Sequence, residues 1–335
     1  MIRTAALASA LLLAFAPVQA LAWGAMGHRI VGEAAMRALP GDLPAFLRNP
    51  QAVRDVGELS REPDRSKGSG RIHDHNRNPG HSLDLDEEGK LLGGPSFLPL
   101  PSTRADYEKA LQAAGLDSWK AGYLPYSIID QHQQLAKDFG YWRVVKYAAG
   151  RERNKVRKAW LVRDLARRET QILATIGQLS HFVGDGSQPL HVTVHYNGWG
   201  EYPNPQGYST AKVHGPFESE FVFNNIKPAG VAAGMAAPVD CKCAVEQRTV
   251  DYLTATSRFV LPFYEMEKAG GLKPADPRGV AFATERLAAG ASELRDMTVS
   301  AWRASARVTV GWPVVRVDDV LAGKVDPYDA LYGKD

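Results

Sequence analysis

His181 and Asp185 stand four residues apart at the end of a long helical pattern, so both side chains fall on one helix face. The chain then turns through Gly186-Ser187-Gln188-Pro189 and presents His191. His214 and Glu218 repeat the spacing at the opening of the next helical stretch, where Pro216 suits a first turn. Neutral imidazoles and carboxylates at these spacings suit zinc. A carboxylate has two oxygens, so Asp185 can bridge two cations. A single His-x-x-x-Asp is more often a core histidine tied to a helical acid. Two such pairs, with a third histidine after a tight turn, point to a metal centre.

Composition narrows what else the chain can be. It has 335 residues, a formal charge of +3 and 44% hydrophobic residues. These values suit a folded globular protein and exclude disorder, collagen-like repeats and a bundle spanning a bilayer. A near-neutral charge excludes polyanion binding by bulk charge and leaves only a local patch. Lys137 to Glu169 holds eleven Lys and Arg against four acids, which reads as a solvated helix face or as a contact for phosphates or an anionic membrane. Cys241 and Cys243 are the only cysteines, so a four-cysteine zinc finger and a disulfide-rich scaffold are excluded. They could form a local disulfide or remain free thiols. Any metal must therefore be held by carboxylates and some of the nine histidines.

Helices must position these groups. Ile30, Ala34, Ala35 and Ala38 mark an amphipathic helix ending near Pro40-Gly41. Helical patterns follow over 104–114, 128–149 and 155–182, and again over 217–224, 246–268 and 278–306. Two Gly- and Pro-rich segments, 61–94 and 191–213, read as long loops, and loops of that length are usually functional. No stretch alternates with period two long enough for a sheet. The expected fold is a single compact, multi-helix, all-α domain over residues 23–310, with a patternless tail over 311–335.

Residues 1–22 read differently. Arg3, the apolar run Ala5 to Ala16 and the ending Ala20-Leu21-Ala22 have the form of a secretory signal peptide. The run is shorter than the roughly 20 residues that span a bilayer. Cleavage after Ala22 predicts a secreted or periplasmic protein beginning at Trp23.

The segment His181-Phe182-Val183-Gly184-Asp185-Gly186-Ser187-Gln188-Pro189-Leu190-His191 resembles the H-x-x-G-D-x-x-Q-P-L-H signature shared by zinc-dependent phospholipases C and type I, single-strand-preferring nucleases. Trp23-Gly24-Ala25-Met26-Gly27-His28 resembles the W-G-x-x-G-H start of the nucleases. The likeness runs from Trp23 to about Asn225. It implies an all-α fold, three zinc ions and hydrolysis of phosphodiester bonds by a metal-activated water. It also implies that Trp23, as the first residue after cleavage, binds one zinc through its free amine and its carbonyl oxygen, with His28 and Asp185. A second zinc would use His191, His214 and Glu218. A third would use His181, Asp185, His81 and Asp64. His81-Ser82-Leu83-Asp84 matches the family's H-[FY]-x-D segment in part, and His73 and His75 are alternative ligands.

The chain departs from the nuclease pattern in two places. Asp64 falls where the nuclease W-A-D-x-x-R motif belongs, but Glu62-Pro63 precede it and Lys67 holds the Arg position; Arg65 is an alternative. Glu218 is the residue phospholipases carry where nucleases usually have Asp. Asp64 is expected to orient the water, with Lys67 or Arg65 offsetting phosphoryl charge. His132 and His195 fit no ligand position. Tyr196, Asn197 and Trp199, in the loop between two ligand motifs with Tyr202, Asn204 and Tyr208, are expected to bind substrate, because aromatic faces stack on bases. The expected activity is a type I nuclease or 3′-nucleotidase acting on single-stranded nucleic acid or nucleotides, as a monomer with no obligate protein partner. The alternatives are a phospholipase C working at a phospholipid surface and an exported zinc-binding protein without catalysis.

Overall fold

The computed structural model describes residues 23–333, so the expected signal peptide lies outside the described residues. Among the described residues the fold is all-α apart from one small hairpin. It opens with α1 (Gly24–Arg37) and α2 (Pro50–Leu59), two short helices, α3 (Glu62–Arg65) and α4 (Arg71–Arg77), and a tight turn over Asn78–His81. Then come α5 (Arg104–Ala113), α6 (Ser118–Ala121) and the long pair α7 (Leu124–Arg151) and α8 (Lys155–Ser187). A wide turn over Pro216–Phe221 runs directly into α9 (Val222–Asn225). The chain continues through α10 (Pro228–Ala233), α11 (Val245–Ser257), α12 (Val260–Lys268) and α13 (Pro277–Ala304). The hairpin β1 (Thr309–Val310) and β2 (Val315–Arg316), α14 (Val317–Leu321) and α15 (Tyr328–Tyr332) follow.

Local chemistry explains where the long helices begin and end. Asn154 caps α8 by accepting from the N–H groups of Val156 and Arg157. Asp276 caps α13 in the same way, with Pro277 in the first turn. Helix α8 runs a turn beyond the expected residue 182 and so carries Asp185. It stops where the Gln188 side chain accepts from Leu190 N–H ahead of the next turn, and Pro189 offers no N–H to continue it.

Three expectations need correction. The segment 61–94 is not simply a loop, because α3, α4 and the turn over Asn78–His81 lie within it. Helices this short present no repeating apolar face, so periodicity misses them. The pattern over 246–268 is two helices, broken at Arg258-Phe259. The tail is ordered: Val310, Val317 and Val320 pack with Val144 of α7 in a small separate core.

Helices α1, α8 and α13 meet through Val31, Leu179, Val183, Leu287, Ala291 and Leu294, all fully buried. Each buried aliphatic side chain of Leu size contributes about 1.5–3 kcal/mol, so this interface holds the ligand-bearing end of α8 firmly against α1. Much of the basic run 137–169 serves packing. Lys137 donates to Thr309 O, Arg143 lies over Trp302 and donates to Ser305, and Arg157 reaches Asp326 and Asp329. Cys241 and Cys243 form a disulfide. Among the described residues, no helix is long and apolar enough to cross a membrane.

Candidate metal centre

Three adjoining groups of donor atoms form where α8 meets α1, the 61–94 segment and the Pro216–Phe221 turn. They are His28, His181 and Asp185; Asp64, His81 and His181; and His191, His214 and Glu218. Each could hold a metal ion. Helix α1 supplies His28, α3 supplies Asp64, and the turn after α4 supplies His81. Helix α8 supplies His181 and Asp185 from successive turns, and the turn after it supplies His191. A Cβ on Gly184 would lie 3.1 Å from His28 Nδ1, so glycine there lets the imidazole approach the helix backbone.

Asp185 stands between two of the groups. Its Oδ2 is 3.1 Å from His81 Nδ1 and 3.4 Å from His181 Nε2, and its Oδ1 is 3.5 Å from His28 Nε2. Asp64 Oδ1 lies 3.8 Å from His181 Nε2 and 3.9 Å from His81 Nδ1. In the third group Glu218 Oε1 is 2.9 Å from His214 Nε2 and 3.1 Å from His191 Nε2.

Backbone carbonyls set the imidazole tautomers. His181 Nδ1 donates to Ser60 O at 2.8 Å, His191 Nδ1 to His81 O at 2.7 Å, and His214 Nδ1 to Tyr196 O at 2.7 Å. In the neutral rings each Nε2 therefore carries a lone pair aimed into the cluster, as an outer hydrogen bond fixes it in metal-binding histidines. The nitrogens crowd together: His181 Nε2 is 2.9 Å from His81 Nδ1, and His214 Nε2 is 3.1 Å from His191 Nε2. Facing lone pairs at such distances need a cation or a proton between them. Both His28 nitrogens, Asp185 Oδ1 and Glu218 Oε2 are buried without a hydrogen-bond partner. Buried polar atoms normally find partners, so these orphans fit missing metal bonds. The donor set thus suits metal ions, and its mixture of imidazole and carboxylate suits zinc.

The electrostatics agree. Burial pushes His28, His81 and His181 well below the usual imidazole range, which leaves them neutral and able to bind a cation. Burial, with the Asp64 charge beside it, drives Asp185 well above the carboxylate range. Burial also disfavours the charged form of His214, but Glu218 outweighs it and holds His214 above its ordinary value. Burial would likewise raise Glu218, yet His214 and His191 keep it below. A cation in the cluster would return Asp185 to the ionised state.

The remaining expected residues sort themselves by position. Lys67 Nζ is 2.6 Å from Asp64 Oδ1 and faces the cluster. Arg65 points elsewhere, pairing with Glu62 and Glu58. His81 is the ligand candidate of the 61–94 segment, because His73 pairs with Asp74 and His75 stacks on Trp119. His132 is buried against Ser300, and His195 between Glu87 and the Trp199 carbonyl. Trp23 is fully buried beside the cluster, and its indole N–H donates to Gly184 O at 2.7 Å. Its carbonyl accepts from Gly27 N–H. A Cβ on the next residue, Gly24, would lie 3.0 Å from Glu218 O.

The expected substrate loop is mostly inward-facing. Trp199 is 3% exposed, stacks on His195 and donates to Pro203 O. Asn197 Oδ1 accepts from His214 N–H. Of the three candidates only Tyr196, at 51% exposure, offers a free face. Trp199 and Asn197 hold the loop that holds His214. Sequence reasoning gave no role to Gln188 or Ser60. Gln188 Nε2 donates to Glu218 Oε1 at 2.6 Å and orients that carboxylate. Its place in the turn between Asp185 and His191 was the available signal; the Ser60 carbonyl had none.

No protein-family model matches the chain, and no curated protein matches it significantly.

Proposed function

We propose that the chain is an exported, zinc-dependent phosphoesterase that hydrolyses phosphodiester bonds with a metal-activated water, of the type I nuclease or 3′-nucleotidase kind. The observation that carries this reading is the convergence of His28, Asp64, His81, His181, Asp185, His191, His214 and Glu218 into three adjoining donor groups. Zinc bound there lowers the pKa of water and polarises phosphoryl oxygens. Asp185 joins two of the groups through its two oxygens. The carbonyls of Ser60, His81 and Tyr196 keep three imidazoles aimed inward. Asp185 and Glu218 are shut away from solvent, whereas Asp64 and Lys67 keep 11% and 12% side-chain exposure. Substrate therefore reaches the centre along the Asp64–Lys67 edge. There Asp64 can orient a water and Lys67 can offset charge on the phosphoryl group. The motif around Trp23 and the long gap from His191 to His214 favour the nuclease reading, while Glu218 favours the phospholipase branch.

Assays of the zinc-loaded, processed protein on single-stranded DNA, RNA and phosphatidylcholine, with and without a chelator, test the proposal. Turnover of nucleic acid that a chelator abolishes and zinc restores is expected. Turnover of phosphatidylcholine alone would assign a phospholipase. No turnover of any of the three would end the enzymatic reading and leave a zinc-binding protein.

A further inference from the structure

A cavity of ≈ 770 Å³ adjoins the candidate metal centre. His81 lines it, as do Glu62, Pro63 and Ser66 from the helix and turn around Asp64. It therefore lies beside the helix that carries Asp64. Phe182, which packs edge-on against His81 and His181, forms part of the same wall.

Its lining offers cations, hydrogen-bond acceptors and aromatic faces. Arg77 and Arg104 line it, and neither has a carboxylate within ion-pair distance among the described residues. Arg104 is stacked 3.6 Å above the Tyr123 ring, which fixes the plane of its guanidinium. Both arginines act electrostatically on the Tyr123 hydroxyl, so their charges converge on one side chain. Guanidinium groups without a carboxylate partner are suited to a phosphate. Acceptors line the cavity as well: Asp130 and Glu246, each already bonded to a glutamine, and Gln178. Carboxylates and amides accept from base N–H groups but have no use for acyl chains. Phe182 and Tyr126 add half-buried ring faces for stacking.

We propose that this cavity binds the nucleotide adjacent to the scissile bond, with its phosphate on Arg77 and Arg104. The inference rests on the phosphoesterase reading and deepens it. A substrate with consecutive phosphodiesters uses both the metals and the cavity, whereas phosphatidylcholine has one phosphodiester and cannot.

The test is binding of a fluorescein-labelled phosphorothioate tetrathymidylate to the zinc-loaded protein across a salt series. Replacing Arg77→Ala and Arg104→Ala together should weaken binding at least tenfold. It should also reduce the slope of log K against log salt by about 0.7, the share of one single-strand phosphate. The double Lys variant should keep the slope, since charge alone sets it. Unchanged affinity in the Ala variant would overturn the proposal. So would weaker binding with an unchanged slope, which would mark a structural effect. Preference of the unsubstituted protein for phosphatidylcholine vesicles over the oligonucleotide would also overturn it. Hydrolysis of bis(4-nitrophenyl) phosphate checks the parent reading separately, because that ester has no second phosphate. If it is not hydrolysed, the phosphoesterase reading fails while the titration still reports on the cavity.

Discussion

His191 and His214 face each other through their Nε2 atoms at 3.1 Å, while the Nδ1 of each is held by a backbone carbonyl. Neither ring can turn its N–H toward the other without losing a buried hydrogen bond. Their shared neighbour Glu218 lies within 3.1 Å of both nitrogens. The two nitrogens and the carboxylate converge on one point that a cation suits, because a buried lone pair has no water to accept from. The loop that supplies Tyr196 O is thereby tied to the metal centre.

Asp185 and Glu218 should differ in the number of ions they control. Asp185 meets His28 through one oxygen and His81 and His181 through the other, whereas Glu218 meets only His191 and His214. Asp185→Asn should cost two metal ions per chain, and Glu218→Gln one. Native mass spectrometry of the zinc-loaded variants reads the stoichiometry directly. Equal losses would show that Asp185 does not bridge.

The position of Trp23 bears on processing. Its side chain is locked to Gly184 and Ser187, so its backbone is fixed beside His28 and the Glu218 turn. A free amine there is a good ligand, but an amide nitrogen is not, since its lone pair is delocalised into the peptide bond. A variant keeping one extra residue before Trp23 should bind one zinc fewer and lose most of its activity. Equal zinc content and equal turnover would refute the N-terminal ligand.

Trp199 and Tyr196 separate packing from binding. Trp199 lies among His195, Tyr208 and Tyr264. Trp199→Ala should therefore destabilise the fold by about 3–5 kcal/mol, the usual cost of removing a buried aromatic. Tyr196 is half exposed, so Tyr196→Ala should leave the unfolding midpoint nearly unchanged and raise KM. Urea denaturation and steady-state kinetics on a short oligonucleotide distinguish the two. A KM change from Trp199→Ala without loss of stability would restore the stacking role first expected of it.

The candidate ligand pairs on α8 and near Pro216 were legible because a four-residue spacing on a helix fixes which side chains share a face. His81 could not be told from His73 and His75, because all three lie in a short helix and the turn after it, whose directions depend on distant contacts. The choice is made by packing: His81 is buried beneath Phe182, whereas His75 turns out onto Trp119. Trp199 misled for a related reason. An aromatic in a loop between ligands reads as a stacking platform, yet burying so large a ring also stabilises the loop, and composition does not separate the two. The tail was unreadable because its small valine core borrows a face of α7.

His132 gives a pH test away from the candidate metal centre. It is buried on α7 with Nε2 3.2 Å from Ser300 Oγ, and burial lowers its pKa to about 4. An unfolded histidine titrates near 6.5. Between those values the unfolded chain binds the proton and the folded chain does not. Stability from this site is thus complete above about pH 6.5 and falls as pH drops to about 4, below which both states are protonated. A shift of this size corresponds to roughly 3 kcal/mol. His132→Gln keeps a hydrogen bond to Ser300 but cannot titrate. Its stability relative to the unsubstituted protein should therefore rise by up to roughly that amount on going from pH 7 to pH 4. Urea unfolding at intervals across that range supplies the difference curve, and a flat curve would show that His132 can be protonated in place without cost.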